Sequence, residues 1–324
     1  MQVLSRTTHP SRAAGGFTLI QLLVALGVLA TLAGILMVAM SAARRAAVRG
    51  ADTQIMGSMT SGMTAFGATF DMAPPLVRDV KDNKTIEQVT VGNETMTVVA
   101  VYTPAADAAF LRGDTLNLAS KLSNPLAVKD QRYSLSSLGF YLAGVLQAPL
   151  RPSNPDIPID LVSGPGTGRP NLSGGFEKGK FGPFIEAGSK TLQLVRNDDT
   201  SKPTAEIRDR NGVAVRYYRW LKKKTVTTWD DLNIPPMIVG PEYATFHSST
   251  AVAQRQQADP RVTAANWGIV MAGPNHVFGD EPIAEIVQAL KTYSGVSVDD
   301  TMSEAALRAR AWEDNLVEVG SDKN

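Results

Sequence analysis

Cysteine is absent from this chain of 324 residues, and histidine occurs only three times. The first absence excludes disulfide staples, thiolate metal sites and a cysteine nucleophile. The second leaves His9, His247 and His276, no two of them at a zinc-ligand spacing such as H-x-x-x-H. Charge of one sign is not in excess: 32 basic against 31 acidic residues give a net +1, which points to neither nucleic acid nor an acidic substrate. Aromatics make up only 6% of the chain, and Trp220 beside Lys222, Lys223 and Lys224 reads as a solvated strand end because no aromatic stripe accompanies it. No G-x-S-x-G elbow is present. His247 with Ser248 and Ser249 reads as a loop, and the acid pairs Asp198-Asp199, Asp230-Asp231 and Asp299-Asp300 lie among turn formers rather than as tuned dyads. These absences argue against an enzyme. The apolar content of 44% still supports a buried core, and the length beyond one membrane helix suits a single domain or one with large insertions.

The most informative stretch is charge-free. Between Phe17 and Met40 there is no Asp, Glu, Lys, Arg or His. That run of about 24 residues is roughly 36 Å as a helix, against about 30 Å for a bilayer core. Arg6 and Arg12 precede it; Arg44, Arg45 and Arg49 follow. A secretory signal peptide has an apolar core of only about 7–15 residues, so Ala39-Met40-Ser41 is a poor cleavage site despite its A-x-A-like form. An uncleaved anchor is the stronger rival, and positive-inside counting leaves orientation open.

The residues at the head of that run carry a resemblance. Gly16-Phe17-Thr18-Leu19-Ile20-Gln21-Leu22-Leu23-Val24 resembles the cleavage-and-methylation signal of type IV pilins and type II secretion pseudopilins, which reads Gly, then Phe-Thr-Leu-Ile-Glu-Leu-Leu-Val. The resemblance implies a leader at residues 1–16 and a prepilin peptidase that cuts after Gly16 and methylates the amine of Phe17. It also implies storage in the inner membrane as a single-pass protein with the head in the periplasm, then assembly with other pilin-like subunits. Gln21 departs from the pattern: the family's Glu at this filament-assembly position offsets a neighbour's buried amine, and Gln brings no charge. In the family, subunits lacking the acid tend to be minor ones at the tip. Tolerated drift and a compensating neighbouring group are the other readings.

Beyond the transmembrane half (residues 17–40), an amphipathic half is expected over residues 41–70. Ile55, Met59, Met63, Phe66 and Phe70 recur at steps of three and four and form one apolar stripe. Gly57, Gly62 and Gly67 allow close packing or bending, and Pro74-Pro75 closes the element. Residues 85–103 read as a hairpin about Gly92-Asn93, and Ser134–Gln147 as a helix capped by Ser134. Residues 149–188 read as a long Gly/Pro-rich loop. Its Gly164-Pro165-Gly166-Thr167-Gly168-Arg169 lacks the Lys-Ser/Thr of a phosphate-binding loop. A strand is expected at Thr191–Arg196, then a hairpin turning at Asn211-Gly212, whose strand alternates on Val213, Val215 and Tyr217.

Two echoes of the family occur in the head. Asp209, Gly212 and Tyr217-Tyr218 are similar to the Asp-Pro-Trp-Gly-Asn-Pro…Tyr-Tyr segment of pseudopilin sheets, without its Pro and Trp. Gly273-Pro274 and Phe278-Gly279 match a terminal strand and loop that binds calcium in major pseudopilins. No cofactor is otherwise called for. The resemblance implies calcium on Asp280 and Glu281, with Asp314 resuming the acidic pattern after a helical excursion at Ile283–Tyr293 and Ser303–Trp312.

The expected fold is therefore α+β: a long N-terminal transmembrane and amphipathic helix packed on an antiparallel β-sheet head, residues 71–324, pilin-like in plan. The expected function is that of a structural filament subunit of minor or specialised role. Its partners are prepilin peptidase, related subunits and membrane lipid, with no nucleic acid. A membrane-anchored hydrolase and an anchored polymer-binding module with an uncleaved anchor are the alternatives.

Overall fold

A computed structural model of the chain describes residues 18–78, 86–91, 94–99, 101–102, 107–114, 116, 124–143, 167–170, 176–181, 183–185, 193–196, 205–242, 260–294, 298–299 and 301–322. The chain divides into two compact units, Met1–Ala47 and Val48–Asn324.

The longest element is α1, Leu19–Phe70. No proline interrupts it, and its hydroxyls are satisfied locally: Thr53, Ser58, Thr60, Thr64 and Thr69 each donate to the carbonyl four residues back. It stops at Asp71, whose left-handed φ of 60° and bond to the Gly67 carbonyl (2.8 Å) terminate it three residues before the Pro74-Pro75 pair. The expected stripe is real: Ile55, Met59, Met63, Phe66 and Phe70 are all buried.

The strands of the head follow as β1 (Leu76–Val77), β2 (Ile86–Val91), β3 (Glu94–Val99), β4 (Val101–Tyr102) and β5 (Tyr133–Ser134). Then come β6 (Thr167–Pro170), β7 (Phe176–Phe181), β8 (Gln193–Arg196), β9 (Ala205–Arg208), β10 (Arg216–Arg219), β11 (Trp267–Met271) and β12 (Leu316–Gly320). Four of them make the main sheet, antiparallel in the order β12-β11-β10-β5. The others pair two by two, β2 with β3 as the expected hairpin and β8 with β9.

Both faces of the main sheet are covered. Tyr217 and its register partner Ile269 belong to the core that α1 completes with Met59, Met63 and Phe66. On the other face, Tyr218 and Val270 join Trp220, Trp229, Met237 and Ile238. Of the expected alternation, Val215 and Tyr217 belong to the first of these faces, whereas Val213 lies before β10 and packs on the second core. β10 is a central strand, so its intervening residues Arg216 and Tyr218 are buried as well. Each fully buried large apolar side chain contributes about 1.5–3 kcal/mol.

Two sequence expectations need correction. The helix expected from Ser134 begins instead at Ser137 (α2, Ser137–Tyr141), because Tyr133 and Ser134 pair with Tyr218 and Tyr217 of β10. Ser134 still acts as a cap of sorts, its hydroxyl accepting from the amides of Ser136 and Ser137 at 3.1 and 3.0 Å. Residues beyond Ala143 in that expected helix lie outside the described residues. The Gly/Pro-rich segment is not all loop either. β6 and β7 pair antiparallel within it, with a register shift between Thr167 and Arg169. A segment poor in β-branched residues conceals this pairing from the sequence.

The end of the sheet is tied to the exit of α1. Tyr217 donates to the Pro74 carbonyl (2.7 Å), Arg219 to the Ala73 carbonyl (2.6 Å), and the Asp322 carboxylate accepts from the Ala73 amide (2.8 Å) and from Arg219 (2.7 Å).

Candidate functional site: an exposed apolar helix and an acidic loop

Gly16 and Phe17 lie outside the described residues; Gln21 lies within them. Thr18 and Gln21 form a reciprocal capping arrangement at the start of α1. The Gln21 amide donates to the Thr18 hydroxyl (3.3 Å), and the Thr18 amide donates to Gln21 Oε1 (3.0 Å). Glutamine supplies this acceptor as well as glutamate would, so the local structure does not need the missing charge. Sequence reasoning missed this role, although T-x-x-Q ahead of an apolar run is its signal.

From Leu19 to Met37 no residue is buried, and this segment is the one helix among the described residues long and apolar enough to cross a membrane. Leu19 and Met37 are each about three-quarters exposed. Leu22, Leu23, Leu26, Leu29, Leu32, Ile35 and Leu36 point around the whole circumference rather than along a stripe. Arg44 and Arg49, just beyond, are exposed.

The acidic loop lies elsewhere, between β11 and the helix Ile283–Ala289 (α3). Gly273-Pro274-Asn275-His276 turns the chain out of the sheet, with His276 at a φ of 65° and its ring stacked on Tyr293 at 3.9 Å. Burial lowers the His276 pKa, which keeps the ring neutral near pH 7. Asp280 is buried, and its two oxygens accept from Arg216 Nη1 at 2.8 and 2.7 Å. Glu281 accepts from the amides of Phe278 (2.9 Å) and Gly279 (2.8 Å) and reaches Arg216 at 3.4 Å. The Arg216 guanidinium lies over the Phe278 ring at 3.8 Å. From the helix Glu304–Trp312 (α4), Arg308 donates to the Gly279 and Glu281 carbonyls at 2.9 and 2.8 Å.

The structure thus brings Asp280 and Glu281 together, around an arginine. Asp314 is set at the return of the excursion, where its backbone packs so closely on Gly273 that a side chain there would collide. Among the described residues no group of three or more His, Asp or Glu is gathered as metal ligands. Asp280 and Glu281 are engaged as an ion-pair clamp that fastens the excursion to the sheet. Removing one partner of such a buried pair strands the other charge. Sequence reasoning missed Arg216; its signal was a cation set between the apolar Val215 and Tyr217 in a strand.

The excursion itself is as expected. α3 and α4 leave and return with β12 in register on β11, Met271 opposite Leu316, and they enclose a small core of Val277, Ile286, Leu290, Leu307 and Ala311. Set against family models, curated proteins and solved structures, the chain matches none of them.

Proposed function

We propose that this chain is a pilin-like or pseudopilin-type subunit of a type II secretion or type IV pilus-like filament, with a structural and not a catalytic task. One observation carries the reading. A helix segment with exposed apolar side chains on every side begins directly after a stretch that resembles a prepilin-type processing signal and continues without a break into a second half that forms one wall of an α+β core. The first half has the length to reside in the inner membrane before assembly and among neighbouring helices afterwards. The second half holds the head, which in this reading lies in the periplasm and is pilin-like in plan.

In this reading Gly16 is the last residue of the leader and Phe17 the methylated first residue of the mature subunit. Gln21, engaged with Thr18, leaves a neighbouring subunit's terminal amine without a carboxylate, which suits a subunit placed where no amine needs neutralising, such as a filament tip. Asp280, Glu281 and the excursion they fasten are then structural parts of the head.

The test is co-expression with a prepilin peptidase, followed by intact-mass measurement. The expected product begins at N-methylated Phe17, and replacing Gly16 leaves the leader attached. A wild-type chain that keeps residues 1–16 in the presence of active peptidase overturns the reading.

A further inference from the structure

The far flank of the apolar segment carries charge of one sign only. The chain has no Asp or Glu before Asp52, which is itself buried, and no lysine before Lys81. Arginine is therefore the sole Lys- or Arg-type cation on either side of the run: Arg6 and Arg12 ahead of it, Arg44, Arg45 and Arg49 after it. Arg44 and Arg49 are exposed on α1, and neither forms an ion pair among the described residues. Ala43, Ala46, Ala47 and Gly50 beside them are exposed as well. These neighbours are short and leave both guanidinia open to a ligand.

The position along the helix says what meets them. At 1.5 Å per residue, Arg44 lies about 6 Å beyond Met40, where the charge-free run ends, and Arg49 about 14 Å beyond it. The headgroup layer outside a bilayer core is roughly 5–8 Å deep on each side. Side chains on a helix lean toward its N-terminus, here back toward the apolar segment. An arginine stem lies along apolar surface while its head stays at the polar level. The guanidinium is a planar fork of donors matched to the two free oxygens of a phosphodiester, which a lysine would meet only as a point charge.

We propose that Arg44 and Arg49 form a collar that binds the headgroups of anionic phospholipids at the membrane face where α1 emerges. The proposal rests on the reading above in one respect only, that the first half of α1 lies in a membrane. It needs neither leader cleavage nor assembly. In that reading this flank faces the periplasm, where the usual charge bias disfavours arginine, and a lipid of opposite sign gives these residues a task there.

The test uses the full chain in detergent micelles doped with equal amounts of phosphatidylglycerol and phosphatidylcholine. Native mass spectrometry then counts which lipid stays bound. One arginine near a charged surface is worth about fivefold in binding, so the wild type should retain phosphatidylglycerol over phosphatidylcholine by on the order of tenfold or more. Arg44→Gln and Arg49→Gln should each cut that preference about fivefold, and the double substitution should remove most of it. Arg44→Lys should keep more of it than Arg44→Gln. Arg112→Gln, which takes a surface arginine from the head, should leave it unchanged. Glutamine is a good helix former, so the helix variants are expected to fold, as circular dichroism checks. Equal retention of the two lipids by the wild type overturns the proposal. So does a preference that survives the double substitution, or one that falls as far with Arg112→Gln. A chain that keeps residues 1–16 beside active peptidase yet prefers phosphatidylglycerol overturns the filament reading alone. A chain released from membranes by alkaline extraction overturns both.

Discussion

The two halves of α1 are both apolar, yet they keep different company. From Leu19 to Met37 every side chain is exposed, whereas from Ile55 to Phe70 a Met- and Phe-rich stripe is buried and the remaining positions carry Ser, Thr, Ala and Gly. The difference lies in arrangement, not in amount. A helix apolar all round has no preferred side and suits lipid or a bundle of like helices; a helix with one apolar stripe has already chosen a partner within its own chain.

The largest effect that can break this comparison is in the second half. Phe66 is fully buried and meets Phe70, Tyr141 and Phe184, so Phe66→Ala should lower head stability by about 3–5 kcal/mol in urea denaturation of the detergent-solubilised chain. Membrane retention should not change. The converse substitution, Leu29→Arg, should cost about 2.5–3.5 kcal/mol of insertion, read by alkaline extraction of membranes, with the denaturation midpoint of the head unmoved. If the two readouts crossed over, the division of labour between the halves would be wrong.

A finer comparison uses glycines five residues apart. At Gly62 an added Cβ would collide with Ile185 and press on the Phe184 carbonyl, while at Gly57 it would meet nothing. Gly62→Ala should therefore destabilise by about 1–3 kcal/mol and Gly57→Ala should stabilise by about 0.5–1 kcal/mol, both by chemical denaturation. Of the two roles these glycines suggest in the sequence, Gly62 serves close packing and Gly57 does not.

Acidity probes the boundary region. Asp209 titrates at about 6 when folded against about 3.9 when unfolded, so between those values the folded state holds more protons. Stability should then fall as pH rises from about 4 to about 6 and level off above. Asp209→Asn should flatten that slope, and following the melting temperature against pH checks it. The smallest effect concerns Gln21: Gln21→Ala should cost the start of α1 about 0.5–1 kcal/mol through its capping bonds, while Gln21→Glu should retain them. Helicity of a peptide covering the first half in detergent would show the difference.

The helix, its stripe and the excursion of α3 and α4 were legible in the sequence because each is written in local periodicity. The hairpin at Asn211-Gly212 was legible only as a turn: Gly212 takes the positive φ and Asn211 does not. Beyond a single bridge between Arg208 and Ala214, the flanking strands pair elsewhere, β9 with β8 and β10 with β11 and β5. Ser134 was not legible, since a serine before an apolar face looks like a helix cap until a strand more than eighty residues away claims it. Arg216 was missed for a related reason: only the long-range register that places β10 between β5 and β11 buries both of its faces. The acids Asp280 and Glu281 were visible, but the cation they serve was not, because no spacing rule links positions more than sixty residues apart.

The bond between the Ala73 amide and Asp322 joins residues 249 apart. At the usual pace of synthesis, about 5–20 residues per second, the carboxylate leaves the ribosome roughly 12 to 50 s after the backbone it must hold. Throughout that interval the Met- and Phe-rich side of α1 waits for strands that have not been made. A nascent chain of this design needs a chaperone, or a bilayer that has already taken up its first residues, to keep that side from sticking elsewhere.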